Sequence, residues 1–190
     1  MLETIQALDS ALLLQIQDTV RTSFLDELLV PISRAGDFGI LWGVPSLLFL
    51  AHRRTRPGGA VTLCGLTTEY VTCEWVLKPL IHRPRPFLVL EELVCLVPPE
   101  SSASLPSGHA ASSFTCAYLL TRSFGKKGAL AYIPAVIIAI SRVYVGVHYL
   151  SDVLAGMALG TLVGAAVWAA RRLYQKKHFL NKQKGKYFHV

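Results

Sequence analysis

The sequence predicts an all-α protein, a polytopic bundle of five or six transmembrane spans with an amphipathic N-terminal helix. Three observations predict this class. Hydrophobic residues make up 52% of the 190 positions and charged residues only 16%, against roughly 25% charged residues in soluble domains. Apolar segments of near-spanning length recur along the chain. The basic residues lie in short clusters between those segments, as in the cytoplasmic loops of membrane proteins.

Residues 1–24 form the predicted amphipathic helix. Its apolar side chains recur at helical spacing, at Ile5, Leu8, Leu12, Ile16 and Val20. The acidic and amide side chains between them make the segment too polar to cross a bilayer. We expect this helix to lie on the membrane surface or against the bundle, and a soluble cap helix without lipid contact is the alternative.

The transmembrane core is predicted over residues 25–170. Its apolar segments are residues 28–51, 60–80, 107–121, 128–147 and 149–170. The first segment is weakened by Pro31, Arg34 and Asp37. Only its second half is cleanly apolar, and that half is shorter than the roughly 20 residues that a span needs.

The charges of the connecting segments orient the predicted bundle. Three connections are basic and alternate with the spans: residues 52–59, 122–127 and 171–177. The positive-inside rule places them on the cytoplasmic side. Residues 81–106 and the turn 142–149 then lie on the extracytoplasmic side. We treat residues 1–190 as a single domain that ends in a basic cytoplasmic tail, residues 171–190.

The formal charge of +7 does not predict a nucleic-acid partner. A nucleic-acid-binding protein presents its basic residues on one continuous surface, whereas here they are divided among separate loops. The sequence therefore predicts a bilayer as the environment and no nucleic-acid binding.

The first candidate motif is KPLIHRPRP, residues 78–86, at the end of the second predicted span. Lys78 alone is explained by a side chain that extends to the membrane surface. Together with Arg83 and Arg85, and with a backbone stiffened by Pro84, it makes a compact cationic segment. This combination predicts anion binding.

The second candidate motif is PSGH, residues 106–109, directly before an apolar helix. Such a turn directs backbone N–H groups and a helix N-terminus towards an anion. His109 beside it is a candidate general acid. A four-residue match is unspecific when it stands alone.

The third candidate motif is SRVYVGVHYLSD, residues 141–152. His148 and Asp152 are four residues apart, so we expect them on one face of the fifth helix. The carboxylate would fix the tautomer of the imidazole and leave its other nitrogen free to attack. Arg142 offers a planar fork that matches phosphate oxygens. The same spacing continues through small residues and predicts close packing of this helix: Gly156, Gly160 and Gly164.

In this order, the three segments resemble the signature motifs of the type 2 phosphatidic acid phosphatase family, K-x6-RP, PSGH and SR-x5-H-x3-D. The resemblance implies an integral-membrane phosphatase of the compact bacterial type, acting at the extracytoplasmic face through a phosphohistidine intermediate. Its substrate would be a lipid phosphate or pyrophosphate, of the undecaprenyl pyrophosphate, phosphatidylglycerophosphate or phosphatidic acid type. The resemblance implies no metal and no other cofactor.

The resemblance also implies a role for each matching residue. The phosphate would be bound by Lys78, Arg85, Ser107, Gly108 and Arg142. His148 would attack phosphorus, Asp152 would orient His148, and His109 would protonate the leaving oxygen. Arg83 lies outside the fixed positions of the motif and would have a supporting role.

Two acidic residues, Glu69 and Glu74, lie within the second predicted span. An acid at membrane depth suggests a function. Glu74 precedes Lys78 by four residues, however, so a structural salt bridge is the preferred interpretation of Glu74.

The sequence argues against two other classes of protein. A non-catalytic phospholipid-binding or transport protein on the same fold is expected to lack His148 or His109, and this chain has both. The second class is the related vanadate-dependent haloperoxidases. These are soluble proteins, whereas the five apolar segments of this chain predict a membrane protein. The sequence leaves open the lipid substrate and whether the chain forms a homo-oligomer.

Overall fold

The computed structural model describes residues 2–187, and the regular structure in that range is helical. This confirms the all-α class. The α-helices are α1 (Leu2–Thr19), α2 (Ser23–Ala35), α3 (Ile40–Ala51), α4 (Arg56–Tyr70), α5 (Lys78–Ile81), α6 (Pro86–Val89), α7 (Gly108–Phe124), α8 (Lys126–Ala129), α9 (Tyr132–Tyr144) and α10 (Leu150–Tyr187). A 3₁₀ turn spans Asp37–Gly39, and a π-helical stretch spans Val71–Leu77.

The N-terminal segment forms a helix as predicted, and α1 packs against α9 and α10. Leu13 is buried in the same hydrophobic cluster as Val143 and Val153. Asp9 is buried as well. The helix was predicted to lie on the membrane surface or against the bundle, and in the structure it lies against the bundle.

The first predicted span, residues 28–51, is two helices. α2 ends at Ala35, and Gly39 adopts a left-handed conformation, with φ of 66°, before α3 begins. A glycine adopts this backbone conformation at little cost. The break carries Asp37 out of the helical path, and α3 is left with 12 residues, about 18 Å of helix.

α7 is the central helix and packs against α4, α9 and α10. A Cβ at Gly160 would lie 2.1 Å from the carbonyl oxygen of Ala111, and one at Gly156 would lie 2.4 Å from that of Ser107. The predicted glycine stripe is therefore the face on which the backbones of α7 and α10 approach each other. This contact brings the start of α7 next to the start of α10.

Within the described residues, two segments are long and apolar enough to cross a membrane, Lys126–Tyr144 and Leu150–Phe179, and Ile40–Ala51 is a shorter apolar helix. α10 continues as a helix through most of the predicted tail, while residues 188–190 lie outside the described range. The count of five spans stays a prediction. α3, α9 and α10 each expose large apolar side chains, such as Leu48, Ile140 and Leu162, as expected of surfaces that contact lipid.

Candidate active site

His148 lies in the turn between α9 and α10, and its side chain is fully buried. The expectation that it lies on the fifth helix is wrong, because Gly146, with φ of 83°, reverses the chain and α10 begins only at Leu150. Asp152 is in the first turn of α10. Its Oδ2 lies 3.6 Å from Nδ1 of His148. The two side chains therefore meet across the start of the helix.

The surroundings of His148 favour an uncharged imidazole. Burial lowers its pKa to about 3; the hydrogen bond to Asp152 acts in the opposite direction, and the positive charge of Arg85 lowers the pKa further. Nε2 lies 3.4 Å from Nη1 of Arg85. With the Nδ1 proton directed at Asp152, Nε2 carries no proton and keeps a lone pair, as a nucleophile requires, and this lone pair faces Nη1 of Arg85.

Asp152 is held from three directions. Its Oδ2 accepts hydrogen bonds from the Ser104 hydroxyl, at 2.5 Å, and from the Tyr149 amide, at 3.0 Å. Its Oδ1 forms an ion pair with Nη1 of Arg83, also at 2.5 Å. Arg83, which the sequence motif left in a supporting role, therefore lies behind the carboxylate that faces His148.

Arg83 connects this carboxylate to α1. Its Nη2 lies 2.8 Å from Oδ2 of Asp9 and donates to Oε1 of Gln6 at 2.7 Å. Asp9 also accepts hydrogen bonds from the amide and the hydroxyl of Ser151. Burial opposes the charge of Arg83, but Asp9 and Asp152 outweigh burial and raise its pKa. Sequence reasoning missed Asp9, because no local pattern marks an acid that acts across more than 70 residues.

The three predicted phosphate-binding cations are buried and come from separate elements. Lys78 begins α5, Arg85 precedes α6, and Arg142 lies in the last turn of α9. Lys78 pairs with Glu74, with Nζ 2.5 Å from Oε1, which is the expected salt bridge. The structure brings Arg85 and Arg142 together at one carboxylate.

That carboxylate belongs to Glu100. Its Oε2 lies 2.7 Å from Nη2 of Arg85, and its Oε1 contacts Nη2 of Arg142. Ser102 in the same loop accepts hydrogen bonds from Lys78 at 3.0 Å and from Arg85 at 3.1 Å. Burial opposes ionisation of Glu100, but Arg142 and Arg85 outweigh burial and lower its pKa to about 2. The connection between α6 and α7 thus supplies a carboxylate and a hydroxyl to the three cations that are predicted to bind phosphate.

The PSGH segment contributes the start of α7. Ser107 is buried, and its hydroxyl oxygen has no hydrogen-bond partner among the described residues. Its amide donates to the carbonyl of Asp152 at 3.0 Å, so this N–H does not point towards an anion. At Gly108 a Cβ would lie 2.9 Å from Oε1 of Glu74. The start of α7 therefore lies directly beside the salt bridge of Glu74 and Lys78.

His109 is paired with a residue that sequence reasoning treated only as a defect in a span. Its Nε2 lies 2.9 Å from Oδ1 of Asp37, whose side chain is 42% exposed. A Cβ at Gly36 would lie 2.7 Å from the His109 ring. The break between α2 and α3 is therefore what brings a carboxylate to this histidine.

A cavity of about 920 Å³ adjoins these groups, and its wall includes Lys78, Glu100, Gly108, His109 and Arg142. His148 is fully buried. Among residues 2–187, no group of His, Cys, Asp and Glu side chains is arranged to hold a metal ion; metal-independent catalysis stays a prediction.

Similarity to known proteins agrees with this geometry. Residues 58–176 match the family model of the PAP2 superfamily. The chain is 35% identical to an undecaprenyl-diphosphatase of Sulfolobus acidocaldarius, over 73% of this chain and 67% of the relative. It is 34% identical to a decaprenylphosphoryl-5-phosphoribose phosphatase of Mycobacterium tuberculosis, over 72% and 75%. A crystal structure of a transmembrane PAP2-type phosphatidylglycerolphosphate phosphatase from Bacillus subtilis superposes with a TM-score of 0.72 at 30% identity, covering 89% of this chain and 87% of that one. The names share a phosphatase activity and differ in the lipid.

Proposed function

Since the chain belongs to the PAP2 superfamily and is therefore a phosphatase, we propose that it hydrolyses a lipid phosphate or pyrophosphate through a phosphohistidine intermediate on His148. One observation carries the proposal. A single carboxylate, that of Glu100, already bridges Arg85 and Arg142, and Arg85 also contacts Nε2 of the uncharged His148. An anion bound at this place lies within reach of a nucleophile.

Substrate binding begins with an exchange of anions. The lipid phosphate replaces the carboxylate of Glu100 and takes its hydrogen bonds from Arg85 and Arg142, with Lys78 as the third cation. Arginine forks match phosphate oxygens in two-point contacts. Because these cations are held in place before the substrate arrives, they also stabilise the charge that builds up on the phosphoryl oxygens in the transition state.

Phosphoryl transfer follows from the arrangement of the two histidines. Nε2 of His148 attacks phosphorus and forms the N–P bond while the bond from phosphorus to the leaving oxygen breaks. Asp152 accepts the hydrogen bond of Nδ1 and stabilises the positive charge that develops on the ring. His109 donates a proton to the leaving oxygen, and Asp37 orients His109.

Hydrolysis of the intermediate reverses these roles. His109, now without its proton, takes one from a water molecule. The resulting hydroxide attacks phosphorus, and the N–P bond breaks and returns the electron pair to His148. Inorganic phosphate leaves, and the carboxylate of Glu100 binds the arginines again.

The proposed position in the membrane rests on charge. The segments that carry the site, residues 78–109 and 142–152, connect helix ends opposite to those joined by the basic segments 52–59 and 122–127. The positive-inside rule assigns the basic ends to the cytoplasm. The site then faces the extracytoplasmic side of a five-span bundle in the cell membrane.

The test is phosphate release by the purified full-length protein in detergent with EDTA present, using undecaprenyl pyrophosphate, phosphatidylglycerophosphate and phosphatidic acid. His148→Ala is expected to lower kcat by at least about 10³-fold. His178→Ala, which changes an exposed histidine of α10, is the matched control and should retain activity. An acid-labile phosphoenzyme in the wild type and none in His148→Ala would support the intermediate.

Two results would contradict the proposal. Activity that disappears with EDTA would contradict metal-independent chemistry, and full activity of His148→Ala would exclude this nucleophile. Lipid binding without phosphate release would instead support the alternative, a non-catalytic phospholipid-binding or transport protein on the same fold.

A further inference from the structure

A second cluster of cations lies at the end of the bundle away from the catalytic residues. Arg122 is in the last turn of α7, and Trp168 and Arg171 lie on α10. The stretch of α7 from His109 to Arg122 is about 20 Å long. The cluster is therefore separate from the cations that are predicted to bind the phosphate of the substrate.

Two arginines of this cluster lie against one tryptophan. Cζ of Arg122 is 5.5 Å from the centroid of the Trp168 ring, and Cζ of Arg171 is 4.9 Å from it. Arg122 is exposed, whereas Arg171 and Trp168 are half-buried. Cation–π attraction favours the position of each guanidinium at the indole. The two positive charges are therefore held near each other.

The charges of Arg122 and Arg171 have no counterion within the part of the chain that the structure describes. None of the ion pairs formed by the described side chains includes either arginine. The segments that carry them, residues 101–151 and 153–190, contain no Asp or Glu. Like charges repel, and more strongly where water is partly excluded. An anion from outside the chain would relieve this repulsion.

Further cations surround the pair. The connection between α3 and α4 meets the end of α7, because a Cβ at Gly58 would lie 2.4 Å from the ring of Phe124. Residues 38–68 also lack acidic side chains. The exposed cations of the segments at this end are Arg53, Arg54, Arg56, Lys126, Lys127 and Arg172. Their combined field attracts anions to the arginine pair.

The length of α10 places the pair at the level of lipid head groups. From Leu150 to Ala170 the helix is about 31 Å long, close to the thickness of the hydrocarbon core of a bilayer. Arg171 follows directly, and tryptophan is enriched at this level. This step rests on the proposed position in the membrane, in which the basic end faces the cytoplasmic leaflet.

We propose that Arg122, Trp168 and Arg171 form a binding site for the phosphate group of an anionic phospholipid such as phosphatidylglycerol. Guanidinium groups match phosphate oxygens, and basic pockets between helices on the cytoplasmic side bind anionic head groups. Phosphatidylcholine binds less well, because its ammonium group is repelled by the surrounding cations. The phosphate of either lipid is a diester, so the lipid is a ligand at this site and not a substrate.

The test measures tryptophan fluorescence in nanodiscs in which one lipid is brominated on its acyl chain, since bromine quenches a tryptophan that it contacts. The full-length Trp75→Phe protein is used, because its other tryptophan besides Trp168, Trp42, is only 5% exposed. The quenching that remains in Trp75→Phe/Trp168→Phe is subtracted. In equal mixtures of the two lipids, phosphatidylglycerol is expected to be preferred over phosphatidylcholine at Trp168 by at least about fivefold.

Two variants in this background test the arginine pair. Arg122→Gln and Arg171→Gln are each expected to reduce the preference by at least about threefold. Arg53→Gln removes the same charge from the connection between α3 and α4 and is the matched control, which should keep most of the preference. The comparison of the two lipids alone decides whether the site exists, so an arginine variant that fails to fold leaves the test intact.

Three results would overturn the site. Equal quenching by the two lipids would show that no anionic lipid is selected. A preference that Arg53→Gln reduces as much as Arg122→Gln would show diffuse attraction without a site. A preference that excess inorganic phosphate abolishes would assign the arginines to free phosphate.

The proposed function is read separately in the same nanodiscs. Phosphate release that does not depend on His148 would contradict the proposed function and leave the lipid preference at Trp168 standing. Both leaflets of a nanodisc have the same composition, so the result does not depend on which end faces the cytoplasm. The arginine variants should retain the kcat of the Trp75→Phe protein.

Discussion

The two sides of the site differ in how completely their charged groups are paired. On the nucleophile side, Asp152 is fully buried and held by Ser104, Tyr149 and Arg83, and Arg83 is in turn paired with Asp9. Every one of these contacts joins segments that are distant in sequence or fixes the start of α10. The position of His148 is therefore set before any substrate binds.

On the leaving-group side, the pairing is incomplete. Asp37 holds His109 with a single contact, and the side chain of Asp37 remains 42% exposed. The difference matches the tasks proposed for the two sides. A nucleophile must be held close to its reactive geometry, whereas a general acid must also give up a proton and take it back.

The largest effect in this comparison is expected when the ion pair between Arg83 and Asp152 is removed. We expect Arg83→Ala to lower kcat by about 10- to 100-fold, in the range of second-layer partners of functional groups, with little change in KM. The reason is that Asp152 would lose the cation that orients its carboxylate. Steady-state kinetics on a lipid phosphate that the wild type hydrolyses measures both constants.

Further variants separate positioning from general stability. Asp9→Asn should also lower kcat with little change in KM, but by a smaller factor than Arg83→Ala. Arg83→Lys should retain more of the wild-type kcat than Arg83→Ala. Arg172→Ala, at an exposed arginine of α10, should have no effect. A loss that appears in KM alone, with kcat unchanged, would contradict a positioning role for Arg83.

A smaller effect is expected at Glu100, where the two sides meet. Because its carboxylate occupies Arg85 and Arg142, we expect it to compete with phosphate. Glu100→Gln removes the negative charge, and we expect the inhibition constants of inorganic phosphate and tungstate to fall by about tenfold. Inhibition kinetics measures these constants, and Glu91→Gln in the same connection is the control. Weaker binding of both anions in Glu100→Gln would show that Glu100 supports the cradle instead of competing for it.

The smallest effect expected is on stability and follows from the low pKa values of His148 and Glu100. In the unfolded chain His148 takes up a proton below its ordinary pKa of 6.5, whereas in the folded protein its pKa is about 3. The free energy of unfolding therefore falls as the pH drops from 6.5 towards 3. Glu100 adds a second loss between its ordinary pKa of 4.5 and about 2.

Thermal unfolding in detergent at pH 7.5 and pH 5 checks this sign. We expect Tm of the wild type to fall by about 5 °C over this interval, and we expect a smaller fall in His148→Asn, which lacks the titrating group. An equal fall in Tm for the two proteins would show that groups other than His148 determine the acid sensitivity.

Much of the site was predictable because its motifs have fixed local spacing. Lys78 and Arg85, or His148 and Asp152, stand at separations that a short turn or helix start brings together. The residues that sequence reasoning missed or undervalued, Asp37, Glu100 and Asp9, have partners 15 to 142 residues away. No local pattern identifies such a pair, since each acid alone is compatible with a solvated surface.

By itself, the sequence determined the all-α class, the helix-packing glycines of α10 and the family to which the chain belongs. The first two follow from composition, periodicity and spacing, which are local properties, and the family follows from the resemblance of three short motifs to those of known proteins. Only the tertiary structure decided that His148 precedes its helix, that the first span is broken at Gly39 and that α1 supports Asp152. Those outcomes depend on which charged groups meet when distant segments pack, and burial makes pairing necessary because an unpaired buried charge is costly.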